Sequence, residues 1–169
     1  DIRTGRLLHR LQEHHYGVSK MIISPDNKKL VSASYLDNRI LVWDLASGKK
    51  DQTVNTTYNE HLRSIDFRRN RALSFAVYQL NQYQLLSGKK MLSSVSVGEN
   101  DFISINTSGY YYTSTDAAKQ LHYVTPDLRV IAFEQLDIKY NRPDKILQTL
   151  GNTDTALISS FRRAWEKRI

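Results

Sequence analysis

The sequence predicts a mainly β chain of four-stranded repeats, followed by an α+β C-terminal extension that ends in two helices. Three observations predict it. Through the first hundred residues, short runs of apolar and β-branched residues are separated by turn residues. A turn also recurs: Thr4-Gly5, Ser47-Gly48 and Ser87-Gly88 lie 43 and 40 residues apart, the last two within "LASGKK" and "LLSGKK". Beyond residue 101 the character changes, and the chain closes on two segments with helix start and stop signals. A repeat of about 40–45 residues is the length of one four-stranded propeller blade, so the first part is predicted to be a partial β-propeller.

Residues 14–54 justify one blade, strand by strand. Val18, Met21 and Ile23 make a first short strand, and "SPDNKK" supplies Pro, Asn and Asp for a tight turn. Leu30 to Ser34 make the second strand, and "LDN" turns the chain. Ile40, Val42 and Asp44 then alternate against Leu41, Trp43 and Leu45 in a third strand, and after Ser47-Gly48 "KKDQTV" is a weak fourth. Such a meander buries both faces against neighbouring blades.

These residues closely resemble the WD-repeat family. His14 stands in the place of its Gly-His pair, "SPDNKKL" in that of its Ser-Pro-Asp-Gly-Lys turn, Asp37 in its tight turn, and Trp43-Asp44 at the close of the third strand. The resemblance implies a structural hydrogen-bond chain of His14, Ser32 or Ser34, Asp37 and Trp43. A buried indole or imidazole without partners costs about 1–3 kcal/mol, so these residues read as scaffold. A His, an Asp and a Ser also match a hydrolytic triad in kind, but the repeat spacing accounts for all three and no catalytic residue is assigned. Two departures from the family pattern stand out. Glu13 replaces a Gly, and "SASYLD" carries one extra residue, which predicts a bulge at Tyr35-Leu36.

The opening "DIRTGRLLHRLQEH" is similar to the segment after the Trp of a preceding repeat, with Leu7, Leu8 and Leu11 in an outer strand, so residues 1–13 are expected to end a preceding blade. Propellers need about four to eight blades, so residues 1–100 are expected to be the last blades of a longer chain and this sequence its C-terminal part. Residues 55–100 form a degenerate blade from "SIDF", "ALSFAVY", "QYQLL" and "KMLSSVSV". Registering on Ser87-Gly88 sets Tyr83 at the place of Trp43 and Val77 at that of Asp37, with His61 ahead of the first strand. The hydrogen-bond chain of the first blade is therefore expected to be lost in the second.

The extension spans 101–169. "DFISINTSGYYYTS" reads as a hairpin, "DAAKQL" as a helical turn, and "HYVTPDLRVIAF" as two short strands around Pro126-Asp127. In "NRPDKILQTLG", Pro143 and Asp144 fill the first turn of a helix that Gly151 stops. A second helix follows in "TDTALISSFRRAWEKRI", with Leu157, Phe161, Ala164 and Trp165 on one apolar face. The segments "DFISINTSGYYYTS", "FEQLDIKYNRPDKILQTLG" and "ALISSFRRAWEKR" resemble the segment that follows the propeller in bacterial, Bacteroidetes-type WD-repeat proteins with a caspase-like peptidase. That resemblance implies a peptidase beyond Ile169 and nothing catalytic within the extension.

Composition excludes several classes of chemistry. The chain has no cysteine, which removes disulfides, thiolate metal sites and a thiol nucleophile. It has 24 Lys and Arg against 17 Asp and Glu, a formal charge of +7, with a pI near 9.6 and a mean hydropathy of -0.50. The basic groups "RRNR" and "RRAWEKR" have no interleaved aromatic stripe, so they read as a solvated turn and helix face. No apolar run reaches the ~20 residues of a membrane span, and the first ten residues lack the apolar core of a signal peptide. The compartment is unassigned, with a slight leaning to the cytoplasm.

"SGKK" lacks the upstream Gly of a phosphate loop, and reads as a hairpin turn. His14, His15, His61 and His122 have no metal-ligand spacing, so neither a metal nor a cofactor is expected. Asn55-Thr56-Thr57 and Asn106-Thr107-Ser108 match glycosylation sequons. Glu134, Asp137 and Asp144 are assigned to caps and salt bridges. Tyr35, Tyr110, Tyr111 and Tyr112 are candidate partner contacts. The functional expectation is a non-enzymatic protein-interaction scaffold, its partners including the missing blades of the same propeller. The alternatives are a nucleic-acid or anionic-surface binding module, suggested by the pI, or a subunit of an enzyme whose active site lies outside these residues.

Overall fold

The computed structural model describes Asp1 and residues 3–169, the side chains of residues 132–134 excepted. It divides into two compact units, Asp1–Lys90 and Met91–Ile169. In the first unit, β1 (Lys20–Ile23), β2 (Lys29–Ser34), β3 (Arg39–Asp44) and β4 (Lys50–Asn55) form one antiparallel sheet in chain order. Strands β5 (His61–Asp66), β6 (Arg71–Ala76) and β7 (Gln79–Gln84) repeat the meander. The next strand, β8 (Lys90–Val97), spans the division between the units.

The turns repeat as the strands do. Asn27 and Asn70 both take the left-handed conformation, at φ 56° and 55°, in the β1–β2 and β5–β6 turns. Gly48 and Gly88 both sit at φ 68° after β3 and β7, and Gly5 at 67° in the opening segment. Asn and Gly are the residues that adopt this region at least cost, so the recurring Ser-Gly in the sequence marks a recurring backbone need. At Gly88 a second constraint applies: a Cβ there would lie 2.7 Å from the Thr53 carbonyl oxygen of β4.

The core of this unit lies between the two meanders. Val31, Ala33, Ile40, Val42 and Val54 point from one sheet onto Leu62, Ala72, Tyr83 and Leu85 of the other, with Ile22, Ile65 and Phe67 at the margin. Each fully buried side chain of this kind contributes about 1.5–3 kcal/mol of transfer free energy. The opposite face of the first sheet carries Leu41, Trp43 and Ser32, all buried, and Met21 and Ile23, which are exposed. The inward residue of β1 is thus Ile22, not Met21 or Ile23, and Val18 precedes the strand. Of the three residues expected in the first strand, Met21 and Ile23 therefore lie within it and Val18 does not.

The expected bulge at Tyr35-Leu36 is also corrected. Ser34 pairs with Arg39, so residues 35–38 form a four-residue turn with Asn38 at φ 54°. The register shift lies instead between Val42 and Trp43, facing β4.

In the second unit β8 pairs antiparallel with β9 (Asp101–Asn106), and β9 with β10 (Tyr111–Thr113). Then come α1 (Thr115–Ala118), the β11 (His122–Val124) and β12 (Val130–Ala132) hairpin, α2 (Phe133–Tyr140), α3 (Pro143–Leu150) and α4 (Thr155–Glu166). Helix α2 was not expected. Its "FEQLDIKY" lacks a start signal, and the helix runs directly on from β12. Gly151 ends α3 at φ 69°, and Asp154 caps α4 by accepting from the Leu157 N–H at 2.9 Å. The inward stripe of α4 is Ile158, Phe161 and Trp165, all half-buried, whereas Leu157 and Ala164 are exposed. The expected apolar face is therefore turned by about one residue.

Candidate functional site

His14 and Asp37 come from loops on either side of β1 and β2, and Ser32 and Trp43 from adjacent strands. Ser32 pairs with Leu41, two residues before Trp43, which sets the two side chains diagonally on one face. The indole Nε1–H of Trp43 donates to Ser32 Oγ at 2.8 Å. Ser32 Oγ lies 2.9 Å from His14 Nε2, and His14 Nδ1 lies 2.6 Å from Asp37 Oδ2. With the proton on Nδ1, every donor has one acceptor: indole to hydroxyl, hydroxyl to imidazole, imidazole to carboxylate. The backbone N–H of His15 also donates to Asp37, and Arg39 Nη2 stands 3.4 Å away. Burial disfavours the Asp37 carboxylate, but the His14 and His15 donors and the Arg39 charge outweigh it and hold the carboxyl below its usual range.

Ser32, His14 and Asp37 thus follow the hydrogen-bond order of a hydrolytic triad. Their surroundings are those of a core. Ser32 is 4 % exposed, and its oxygen already accepts the indole proton. A carbonyl carbon has no approach to it. Ser34 does not join this chain.

The second meander builds a different network at the same place. Ser74 and Tyr83 hold the register positions of Ser32 and Trp43, since Ala72 faces Tyr83 as Leu30 faces Trp43. The third member is Glu60, 3 % exposed. Its carboxylate accepts from the Tyr83 hydroxyl at 3.0 Å, from the Ser74 hydroxyl, and from the Thr57 N–H and hydroxyl at 2.7 and 2.6 Å. Burial works against this charge, but the Ser74, Thr57 and Tyr83 donors prevail and lower its pKa. Burial and the Glu60 charge raise that of Tyr83.

The His, Asp and Trp of the first chain are absent here, and a Glu60-centred network stands in its place. The β6–β7 turn has only Val77 and Tyr78 between paired residues, two fewer than the β2–β3 turn, so no residue occupies the place of Asp37. A histidine beside Ser74 would lack its acceptor. Glu60 supplies the acceptor itself. The sequence signal was available one residue before His61, which instead opens β5 and stacks on Tyr35 at 4.7 Å between ring centroids.

In the second unit, Tyr111 is 3 % exposed and donates to Asp137 Oδ1 at 2.7 Å. It cannot be a partner contact, which corrects that assignment: alternation places it on the inner face of β10. Tyr112 packs edge-on against Phe102 and against Phe161, and Tyr110 lies under the Arg142 guanidinium. Asp137 also accepts from Asn141 at 2.9 Å and from Arg168. Asp144, fully buried, takes two parallel bonds from Arg142 at 2.8 and 2.7 Å, and that guanidinium stacks 3.9 Å from the Trp165 ring. The side chain of Glu134 lies outside the described residues. Among the described residues no three His, Asp or Glu side chains are grouped as metal ligands, and no helix is long and apolar enough to cross a membrane.

No family model matches the chain. Over 76 residues it is 26 % identical to the WD repeat domain-containing protein 83 homolog of Dictyostelium discoideum, which is 45 % of this chain and 23 % of that protein. The chain thus spans about a quarter of the length of this relative. Among solved structures, the RRP9 WD40 repeats align over 72 % of this chain and 39 % of theirs, with 13 % identity and a TM-score of 0.45. The computationally designed Ika4 protein aligns over 64 % of this chain and 72 % of its own, with 18 % identity and a TM-score of 0.42. The chain is mainly β with antiparallel sheets and four C-terminal helices, and its sequence similarity is to a WD-repeat protein.

Proposed function

We propose that the chain is a non-enzymatic protein-interaction scaffold, the C-terminal portion of a WD-repeat propeller. In this reading residues 1–13 end a preceding blade, 14–54 form a full blade, 55–100 a degenerate one, and 101–169 an extension. Similarity to a WD-repeat protein supports it. The observation that carries it is that the polar residues most able to do chemistry are consumed by the fold: Ser32, His14 and Asp37 in one blade, Ser74 and Glu60 in the next. The resemblance of the extension supports a regulatory or sensor role beside a caspase-like peptidase in a larger bacterial protein.

The test is an activity screen of the intact chain with ester, phosphate and peptide substrates, together with labelling by a serine-directed fluorophosphonate. No turnover and no labelling of Ser32 are expected. Turnover lost in Ser32→Ala or Asp37→Asn overturns the reading.

A further inference from the structure

The first unit has two rims, because every strand ends at one of two sets of turns. Segments 24–29, 44–50, 66–71 and 84–90 form one rim and hold nine Lys and Arg against three Asp. The other rim, segments 14–20, 34–39, 55–61 and 76–79, holds one Lys, one Arg, one Asp and one Glu. The surplus of positive charge is therefore not spread over the unit. Part of it is engaged: Lys29 bonds Asp44 and Asp51, Lys50 bonds Glu13, and Arg69 bonds Asp66. Arg68 and Lys89 are exposed, and among the described residues no carboxylate pairs with either.

The same rim contains a groove of about 400 Å³ between the two meanders. Its walls are apolar, formed by Pro25, Phe67, Leu85 and the exposed Leu86, and Arg68 and Lys29 stand at its edge. Asp26 also borders it, but its carboxylate is turned into its own loop, accepting from the Ser24 hydroxyl and the Lys28 N–H. A volume of this size takes one or two large side chains.

We propose that this groove docks an acidic peptide segment through one large apolar side chain, with flanking carboxylates on Arg68 and Lys89. The inference rests on the scaffold reading and gives its partner a chemistry and a rim, the one opposite the β2–β3 turn. Charge complementarity favours an acidic ligand, and the apolar walls favour a protein over a nucleic acid. A phosphodiester chain has nothing to fill such a groove, and Phe67 is the one aromatic side chain lining it. A buried apolar anchor ringed by charge is the common anatomy of a peptide hot spot.

The probe is a fluorescein-labelled peptide of Asp and Glu around a central Phe, titrated against the intact chain by anisotropy. Micromolar binding is expected, weakened at least about tenfold by Arg68→Glu, by Leu86→Glu and by an Ala-centred peptide. Both substitutions are at exposed positions, and circular dichroism melts check that the fold is kept. Arg163→Glu, which makes the same change in net charge in the other unit, is expected to leave binding unchanged. Absence of binding, equal binding of the Lys counterpart peptide, indifference to both rim substitutions, or tighter binding of a duplex DNA overturns the inference. None of these outcomes touches the scaffold reading, which fails on enzymatic turnover instead.

Discussion

Glu60 accepts the Ser74 hydroxyl at the place where, one meander earlier, His14 accepts that of Ser32. The two residues differ in what they require. His14 is a relay that needs Asp37 beyond it, whereas Glu60 is itself the terminal acceptor. Shortening the turn that carries Asp37 and replacing histidine with glutamate are therefore physically one change.

Replacing Glu60 tests this. Glu60→Ala leaves the Ser74, Tyr83 and Thr57 donors without an acceptor in a dry site, and a loss of roughly 3 kcal/mol is expected. Glu60→Gln keeps one carbonyl acceptor and costs less. Urea unfolding of both variants gives the order, and an alanine variant as stable as the parent would show that the network contributes nothing.

The pH dependence has a definite sign. Folding lowers the pKa of both Glu60 and Asp37, from ordinary values of 4.5 and 3.8. A depressed carboxylate stabilises the folded state above its unfolded pKa, and that contribution disappears as pH falls through the folded pKa. Stability is expected to be level above about pH 5 and to drop towards lower pH. Glu60→Gln should flatten part of this drop, read as unfolding free energy against pH.

In the first meander, Trp43→Phe keeps an aromatic ring but removes the donor to Ser32, and a cost of about 1–2 kcal/mol is expected. Ser32→Ala removes its acceptor. Because both act on one bond, their double variant should be less destabilised than the sum of the two. Strict additivity in chemical denaturation would argue against the chain.

Gly88 and Gly5 share a left-handed backbone but differ in space. A Cβ at Gly88 meets the Thr53 carbonyl at 2.7 Å, whereas one at Gly5 meets nothing within 4 Å. Gly5→Ala should cost about 1 kcal/mol from backbone strain alone. Gly88→Ala should cost clearly more, and thermal melts of the pair measure the difference.

Arg142→Lys is not conservative at its site. The lysine keeps the charge but loses the two parallel bonds to Asp144 and the planar stack on Trp165. A loss of about 1–3 kcal/mol is expected, with a change in tryptophan fluorescence. Unaltered stability and emission would mean that the pairing is dispensable.

Local chemistry was legible wherever one residue type answers one backbone need. Ser-Gly at a fixed spacing marked the turns, Pro143 and Gly151 marked the ends of α3, and alternation marked most strands. It failed where two local rules competed. Apolar residues crowded both faces of β1, so the inner one could not be read. Helix α2 follows β12 without a turn signal, and α4 was read one residue out of phase.

By itself, the sequence determined the meander and its turns, because each depends on spacing along one segment; that His14, Asp37, Trp43 and either Ser32 or Ser34 would join in one chain came from the resemblance to WD repeats, and the paired strands select Ser32. Only the tertiary structure decided that Glu60 stands where the first meander has a histidine, that Tyr111 faces inward onto Asp137, and that Arg68 and Lys89 share a rim with an apolar groove. Each of these joins residues that are distant along the chain or set by the length of a turn. Burial and hydrogen-bond satisfaction select among them only once the strands are paired.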